Sequence, residues 1–310
     1  MNRGSRVTGY GTALPERVIT NHDLAQTLDT SDAWITERTG IKERRIGGTT
    51  RALGIEAAQL ALDMAGVTGA DLDGVILATT TPDRVIPATA SSLQLAIGAR
   101  CGAFDLNAAC SGFVYGLNVA HGLILAGAER VLLVGSETLS RFVDWEDRGT
   151  AVLFGDGAGA VVLSAASAED NALLGWALDC NGTLEKSLYC DFGGFIHMDG
   201  REVFRQAVRI MVSTCENALA AAGLTIGDID LVIPHQANTR IIQSACEKLG
   251  ISEDRTVQVL SWTGNTSSAS IPLALADAAD SGRLRRGDVT LLVGFGAGMT
   301  SASALLRWDL

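Results

Sequence analysis

Three residues combine reactive or hydrogen-bonding side chains with a setting that favours chemistry: Cys110, His235 and Asn265. Cys110 lies in FDLNAACSGFVYGLNVA (104–120), where extended, buried-looking sequence gives way to a helix carrying Phe113, Gly116, Leu117, Ala120 and Ile124 on one face. A helix N-terminus favours negative charge, so a thiolate there is stabilised and the thiol pKa is expected to fall. The competing reading is a buried structural cysteine. His235, in IPHQANTRII (233–242), follows an apolar run and precedes a helix bearing Ile241, Ile242, Ala245 and Leu249. Such strand-to-helix junctions gather ligands in α/β proteins, although a lone histidine is also a common satisfied core residue.

Two chemistries use a Cys, a His and an Asn. In a cysteine hydrolase, Asn orients His, His deprotonates Cys, and water resolves the acyl-enzyme. In a condensing enzyme, Cys carries an acyl group while His and Asn both donate to a thioester oxygen and stabilise an enolate. A carboxamide, which donates without ionising, suits the second use.

The elements that must position these residues repeat along the chain. Apolar strand-like runs at Val75–Thr79, Val131–Gly135 and Ala160–Leu163 are matched by runs at Leu231–Pro234, Leu291–Gly294 and Ala302–Arg307, with Ala/Leu-rich helical stretches between. The alternation predicts an α/β fold with largely buried sheets. MAGVTGADLDGVILATTT (64–81) resembles AAGLTIGDIDLVIPHQA (221–237) at an offset of 223 − 66 = 157, and LLVG recurs at 132 and 291, an offset of 159. Two similar halves follow, 1–165 with the Cys and 166–310 with the His and Asn, packed about a pseudo-two-fold axis without a flexible linker. NAACSGFVYGLNVA (107–120) then falls opposite NTSSASIPLALADA (265–278), so Cys110 and Asn265 open equivalent central helices and meet at one site.

Composition narrows the partners. A chain of 310 residues, 47% hydrophobic and 19% charged, supports a substantial core. The net charge of −11 argues against nucleic acid. No apolar run reaches membrane-spanning length and the N-terminus has no signal-peptide pattern, so a cytoplasmic protein without a membrane partner is expected. Six cysteines without CxxC spacing point to reduced thiols, with no zinc site and no disulfide framework.

DLNAACSGF, IPHQAN and GNTSSASIP, with TSDAWITERTGIKERR (30–45), DRGTAVLFGDGAGAVVL (147–163) and GFGAGMTSASALLRW (294–308), resemble the motifs of β-ketoacyl-acyl-carrier-protein synthase III, a condensing-enzyme family of the thiolase superfamily. The resemblance spans almost the whole chain. It implies a five-layered αβαβα fold, a homodimer, no cofactor or metal, and condensation of an acyl-CoA starter with malonyl-acyl-carrier protein through an acyl-Cys. Elongating ketosynthases have a second His where this chain has Asn265, and thiolases a second Cys near the C-terminus, where this chain reads GFGAGMTS. An acyltransferase passing the acyl group to a hydroxyl or amine is the alternative.

The resemblance carries further roles. The backbone N–H groups of Cys110 and Ala297 would form an oxyanion hole, although the family often has glycine at the second position; Phe295 would wall the site. Trp34, Arg38, Arg148 and Asn238 would bind coenzyme A and its pantetheine arm, with a turn-holding role as the alternative for Arg38 and a helix N-cap for Asn238. Ile86, where the family often has Phe, would cap the acyl pocket across the dimer interface. Arg205, Arg209, Arg240 and Lys248 are candidates for docking an acidic carrier protein, or an ordinary solvated helix face. GDGAG (155–159) reads as a tightly packed turn, because strand-like sequence follows where a nucleotide loop would open a helix. Glu137 and Asp156 receive no role.

Overall fold

The computed structural model describes residues 3–310. Five strands form the first sheet: β1 (Arg3–Ala13), β2 (Gly74–Ala78), β3 (Gly102–Leu106), β4 (Arg130–Thr138) and β5 (Asp156–Ser167), in the order β1-β5-β4-β2-β3. The second sheet holds β6 (Leu173–Cys180), β7 (Leu231–Pro234), β8 (Val289–Gly296) and β9 (Thr300–Arg307), in the order β7-β8-β9-β6. Strand senses agree position by position: β2 runs parallel to β4 as β7 does to β8, and the remaining shared pairs are antiparallel. A bridge from Val232 to Thr256 stands where the second sheet would have its β3 counterpart.

Seven helices of eight residues or more complete the described fold: α1 (Asp32–Thr39), α2 (Thr50–Ala65), α3 (Thr89–Ala96), α4 (Gly112–Leu125), α5 (Gly200–Ala222), α6 (Thr239–Leu249) and α7 (Ser270–Asp280). Helices α4 and α7 lie between the sheets, where Phe113, Leu117, Ile124, Ile271 and Leu275 share one core with Ile76, Leu133, Ile233 and Leu292. Alternate residues of the same strands, Val75, Leu77, Leu132 and Val134, face outward onto α2, and Leu291 and Val293 face α5 and α6. A period of two thus buries both faces of each sheet, and the layers run αβαβα. Close approach needs small residues: a Cβ on Gly9 would lie 2.3 Å from the Ala61 carbonyl of α2. No helix among the described residues is long and apolar enough to cross a membrane.

Two local expectations are corrected. GDGAG is not a turn: Asp156 to Gly159 begin β5, and the glycines serve packing, a Cβ on Gly159 falling 2.7 Å from Pro272. The strand before Cys110 is not buried but is the exposed edge β3, with Phe104 facing solvent.

Candidate active site

Cys110 occupies a three-residue turn, Ala109–Ser111, immediately ahead of α4. Ala109 takes the left-handed conformation at φ 49°, which lifts the turn toward the end of β8. There Gly296 is obligatory, since a Cβ would lie 2.5 Å from the Cys110 amide nitrogen. Thr300 closes the contact by donating to the Ala108 carbonyl at 2.9 Å, and Ser111 Oγ donates to the Thr300 carbonyl at 3.1 Å. The expected lowering of the thiol pKa is reversed. Burial pushes Cys110 up to about 12, and the Glu137 charge adds to it, against the opposing bond from the Ser267 hydroxyl. At neutral pH Cys110 is therefore a thiol.

His235 directly follows β7, its N–H bonded to the Val293 carbonyl at 2.7 Å. The ring is buried, sits edge-on to Phe295 with centroids 5.4 Å apart, and places Nδ1 2.7 Å from Ser270 Oγ. Burial lowers its pKa to about 3, so the imidazole is neutral. The next residue anchors it: Gln236 donates to the Pro234 and Val257 carbonyls and accepts from the Val259 and Leu260 N–H groups.

That anchored segment leads to Asn265, whose backbone bonds Leu153 and Gly155 at 2.9 and 3.0 Å. Its Oδ1 accepts from the Ser267 N–H at 2.9 Å, which fixes the amide orientation and leaves Nδ2 as the group available to a ligand. Gly264, at φ 67°, backs onto the Cβ of Arg44. Arg44 is itself fully buried and donates to Asn21 and to the Ile19 and Val152 carbonyls.

Glu137, which sequence reasoning left without a role, lies beneath all this. Its buried carboxylate accepts from the Thr79, Thr81, Ser267 and Ser268 hydroxyls and from the Thr80 and Thr81 N–H groups, at 2.6 to 3.2 Å. Burial raises its pKa against those bonds. Ser267 is the knot: its amide holds Asn265, and its hydroxyl donates to Glu137 at 3.1 Å. The available signal was the run SSAS, hydroxyl residues opening an otherwise apolar helix. Asp156 ties Ser140 to Gly47, a structural duty.

A second cluster joins α1 to the start of α6. Trp34 on α1 carries the Arg38 and Arg148 guanidiniums at 4.6 and 4.9 Å from its ring, and Arg148 also bonds the Asp29 carbonyl at 2.8 Å. Asn238 caps α6 by accepting from the Arg240 N–H and donates its Nδ2 to the Arg38 carbonyl. The Arg38 side chain is exposed and stacks on Trp34. Phe295 joins the site through His235, and Ala297 lies in the turn after Gly296. Alanine fits there because the left-handed positions fall on Gly298 and Met299, at φ 70° and 45°. Ile86 is 82% exposed on the surface between β2 and α3.

The four basic candidates are not equivalent. Arg205 is paired to Glu202 at 2.7 Å, Arg209 bonds Gln206, and Arg240 lies over Phe204 at 5.8 Å, which bridges α6 to α5. Lys248 lies at the far end of α6, about 12 Å along the axis from Arg240 at 1.5 Å per residue.

Comparison with known proteins agrees with the geometry. Residues 104–182 match the family described as 3-Oxoacyl-[acyl-carrier-protein (ACP)] synthase III, and residues 219–308 match that family's C-terminal region. The chain is 50% identical to beta-ketoacyl-[acyl-carrier-protein] synthase III of Roseiflexus castenholzii, over 98% of each chain. It superposes on the crystal structure of 3-oxoacyl-[acyl-carrier-protein] synthase III from Aquifex aeolicus with a TM-score of 0.96 and 46% identity, covering 98% of this chain and 100% of that one. The priming beta-ketosynthase of the R1128 polyketide biosynthetic pathway is 36% identical, with a TM-score of 0.95 over 99% of this chain and 97% of its own. By sequence and by fold together, this chain belongs to the β-ketoacyl-acyl-carrier-protein synthase III family.

Proposed function

We propose that the protein is an acyltransferase that condenses an acyl-CoA starter with malonyl-acyl-carrier protein in the cytoplasm, initiating fatty acid or polyketide synthesis. Cys110 attacks the starter thioester, and its proton leaves on the CoA thiol. Malonyl-carrier protein then enters and loses carbon dioxide, while His235 and Asn265 donate to the thioester oxygen of the resulting enolate. The enolate carbon attacks the acyl-Cys. The Cys110 and Ala297 amides hold the tetrahedral oxyanion, and its collapse releases the thiolate, which takes up a proton.

One observation carries this reading over a cysteine hydrolase. Asn265 does not orient His235: the histidine's Nδ1 bonds Ser270, and the Asn265 oxygen is held by Ser267. Two independently fixed donors suit an enolate better than a relay.

Trp34, Arg38 and Arg148, with Asn238 bracing Arg38, form the coenzyme A rim. Arg209 and Arg240, with the partly neutralised Arg205 and the outlying Lys248, form the carrier docking face. We read residues 1–165 and 166–310 as duplicated halves, supported by their shared strand order. A second copy of the chain is expected against the free edge of β3, where Val85, Ile86, Leu95 and Phe104 leave apolar surface open, so that Ile86 caps the partner's acyl pocket.

The test is to supply acyl-CoA and malonyl-carrier protein and measure carbon dioxide and β-ketoacyl product by mass spectrometry. Cys110→Ser should form no acyl-enzyme. Asn265→Ala should acylate normally and lose decarboxylation on the order of 10²–10³-fold. Wild-type condensation by Asn265→Ala, or acyl transfer to a hydroxyl or amine without carbon dioxide release, would overturn the proposal.

A further inference from the structure

A neutral histidine can donate from only one ring nitrogen, and the bond made by the other nitrogen decides which. At His235 that bond goes to Ser270, the first residue of α7, whose Oγ lies 2.7 Å from Nδ1 and is fully buried. A serine hydroxyl has one hydrogen and two acceptor sites. Among the described residues, its other hydrogen bond is accepted from the Gln236 N–H at 3.3 Å. The hydroxyl hydrogen then has Nδ1 as its acceptor. If Nδ1 instead carried the proton, Ser270 would accept twice and its own hydrogen would be left unpaired in the interior, an arrangement that costs the desolvation of that donor with nothing to offset it.

We propose that Ser270 is a positioning residue that fixes His235 as the Nε2–H tautomer, making it a hydrogen-bond donor toward the ligand. The consequence is a division of labour. With Nε2 already protonated, His235 cannot take the Cys110 proton through that nitrogen, so its contribution falls in the decarboxylation step and not in acylation. The geometry supports this at a second point. Gln236 fixes the backbone beside the ring through bonds to four backbone groups, while Phe295 bounds the ring edge-on. These contacts hold the ring from sides other than Ser270, which shares in the anchoring through its bond from the Gln236 N–H and adds the proton's location. The catalytic half of this inference rests on the condensation proposed above; the tautomer half does not.

The experiment reads each half separately. The chain has four histidines, so nitrogen-15 imidazole spectra of the histidine-labelled protein are sparse, and His235 is assigned by its loss in His235→Gln. Wild type should show a protonated Nε2 and an unprotonated Nδ1. Ser270→Ala should shift His235 toward the Nδ1–H form, lower decarboxylation of malonyl-carrier protein on the order of 10–100-fold, and leave Cys110 acylation by acyl-CoA nearly unchanged. Ser270→Thr, which keeps the hydroxyl, should restore the wild-type tautomer and most of the rate. An Nδ1–H signal in wild type would overturn the proposal even if Ser270→Ala fails to fold. So would full decarboxylation by a folded Ser270→Ala. If the tautomer shifts as expected while the wild-type protein releases no carbon dioxide, the role of Ser270 stands and the condensation reading falls.

Discussion

Ala109 and Ser267 hold the same left-handed backbone conformation, φ 49° and φ 50°, in equivalent turns 267 − 109 = 158 residues apart. Each precedes a central helix, and each supports a site residue: Cys110 follows Ala109, and Ser267 holds Asn265. A left-handed residue with a Cβ costs on the order of 1–3 kcal/mol, and such strain persists where the surroundings demand it. Ala109→Gly should remove that strain while adding unfolded-state freedom of about 0.5–1 kcal/mol. The expected outcome is a small change in unfolding midpoint with slower Cys110 acylation, read by thermal melts and by mass spectrometry of the acyl-enzyme. Unchanged acylation would show that the turn's rigidity does not matter for the nucleophile.

The parts of this arrangement visible in the sequence are those set by periodicity and by the repeat. The Gly66 and Gly223 helix caps, both left-handed at φ 66°, and the capping boxes Thr68–Asp71 and Thr225–Asp228 that follow them sit at the offset that the 64–81 and 221–237 likeness announces. Cys110, His235 and Asn265 were legible because each stands where an apolar pattern breaks. What remained hidden depends on contacts between the halves. Glu137 comes from β4 and its Ser267 partner from the turn before α7, 130 residues later. No local pattern marks such a pair. The Cys110 pKa was misjudged for the same reason, since helix position is local and burial is not.

His235 should leave a pH signature in stability. Its folded pKa of about 3 lies below the value of about 6.5 expected when unfolded. Below that unfolded value the unfolded chain takes up a proton that the folded chain refuses. Its contribution to stability is therefore full above pH 6.5 and is lost as pH falls toward 3. By pH 5 the loss is about 2 kcal/mol. Denaturant unfolding of wild type and His235→Gln at pH 7 and pH 5 should give stability curves that converge at the lower pH. Parallel curves would mean that the folded protein takes up the His235 proton as readily as the unfolded chain does.

The rim cluster predicts a substrate-dependent defect. If the Trp34 ring, now stacked against Arg38 and Arg148, receives an adenine face, Trp34→Ala should raise the KM for acyl-CoA by about 5–150-fold, the range expected for one aromatic–base stack. Acyl thioesters of N-acetylcysteamine lack the nucleotide, and their turnover should change little. Equal losses with both donors would assign Trp34 to holding α1 instead.

Arg240 offers the sharpest test of carrier docking. The chain's net charge of −11 repels an acidic partner, so encounter depends on local positive charge acting within a Debye length of about 8 Å. Of the four basic candidates, Arg205 is neutralised by Glu202 and Lys248 lies at the distant end of α6. Arg240 is held over Phe204, two residues from Asn238, which bonds the Arg38 carbonyl, and no carboxylate pairs with it among the described residues. Arg240→Glu should raise the KM for malonyl-carrier protein several-fold and leave Cys110 acylation by acyl-CoA nearly unchanged. Raising salt should reproduce the effect in the wild-type protein and flatten the difference between the two. Arg205→Glu should do less, because the charge it removes is already paired. Equal loss with both substrates would instead assign Arg240 to the packing of α6 against α5.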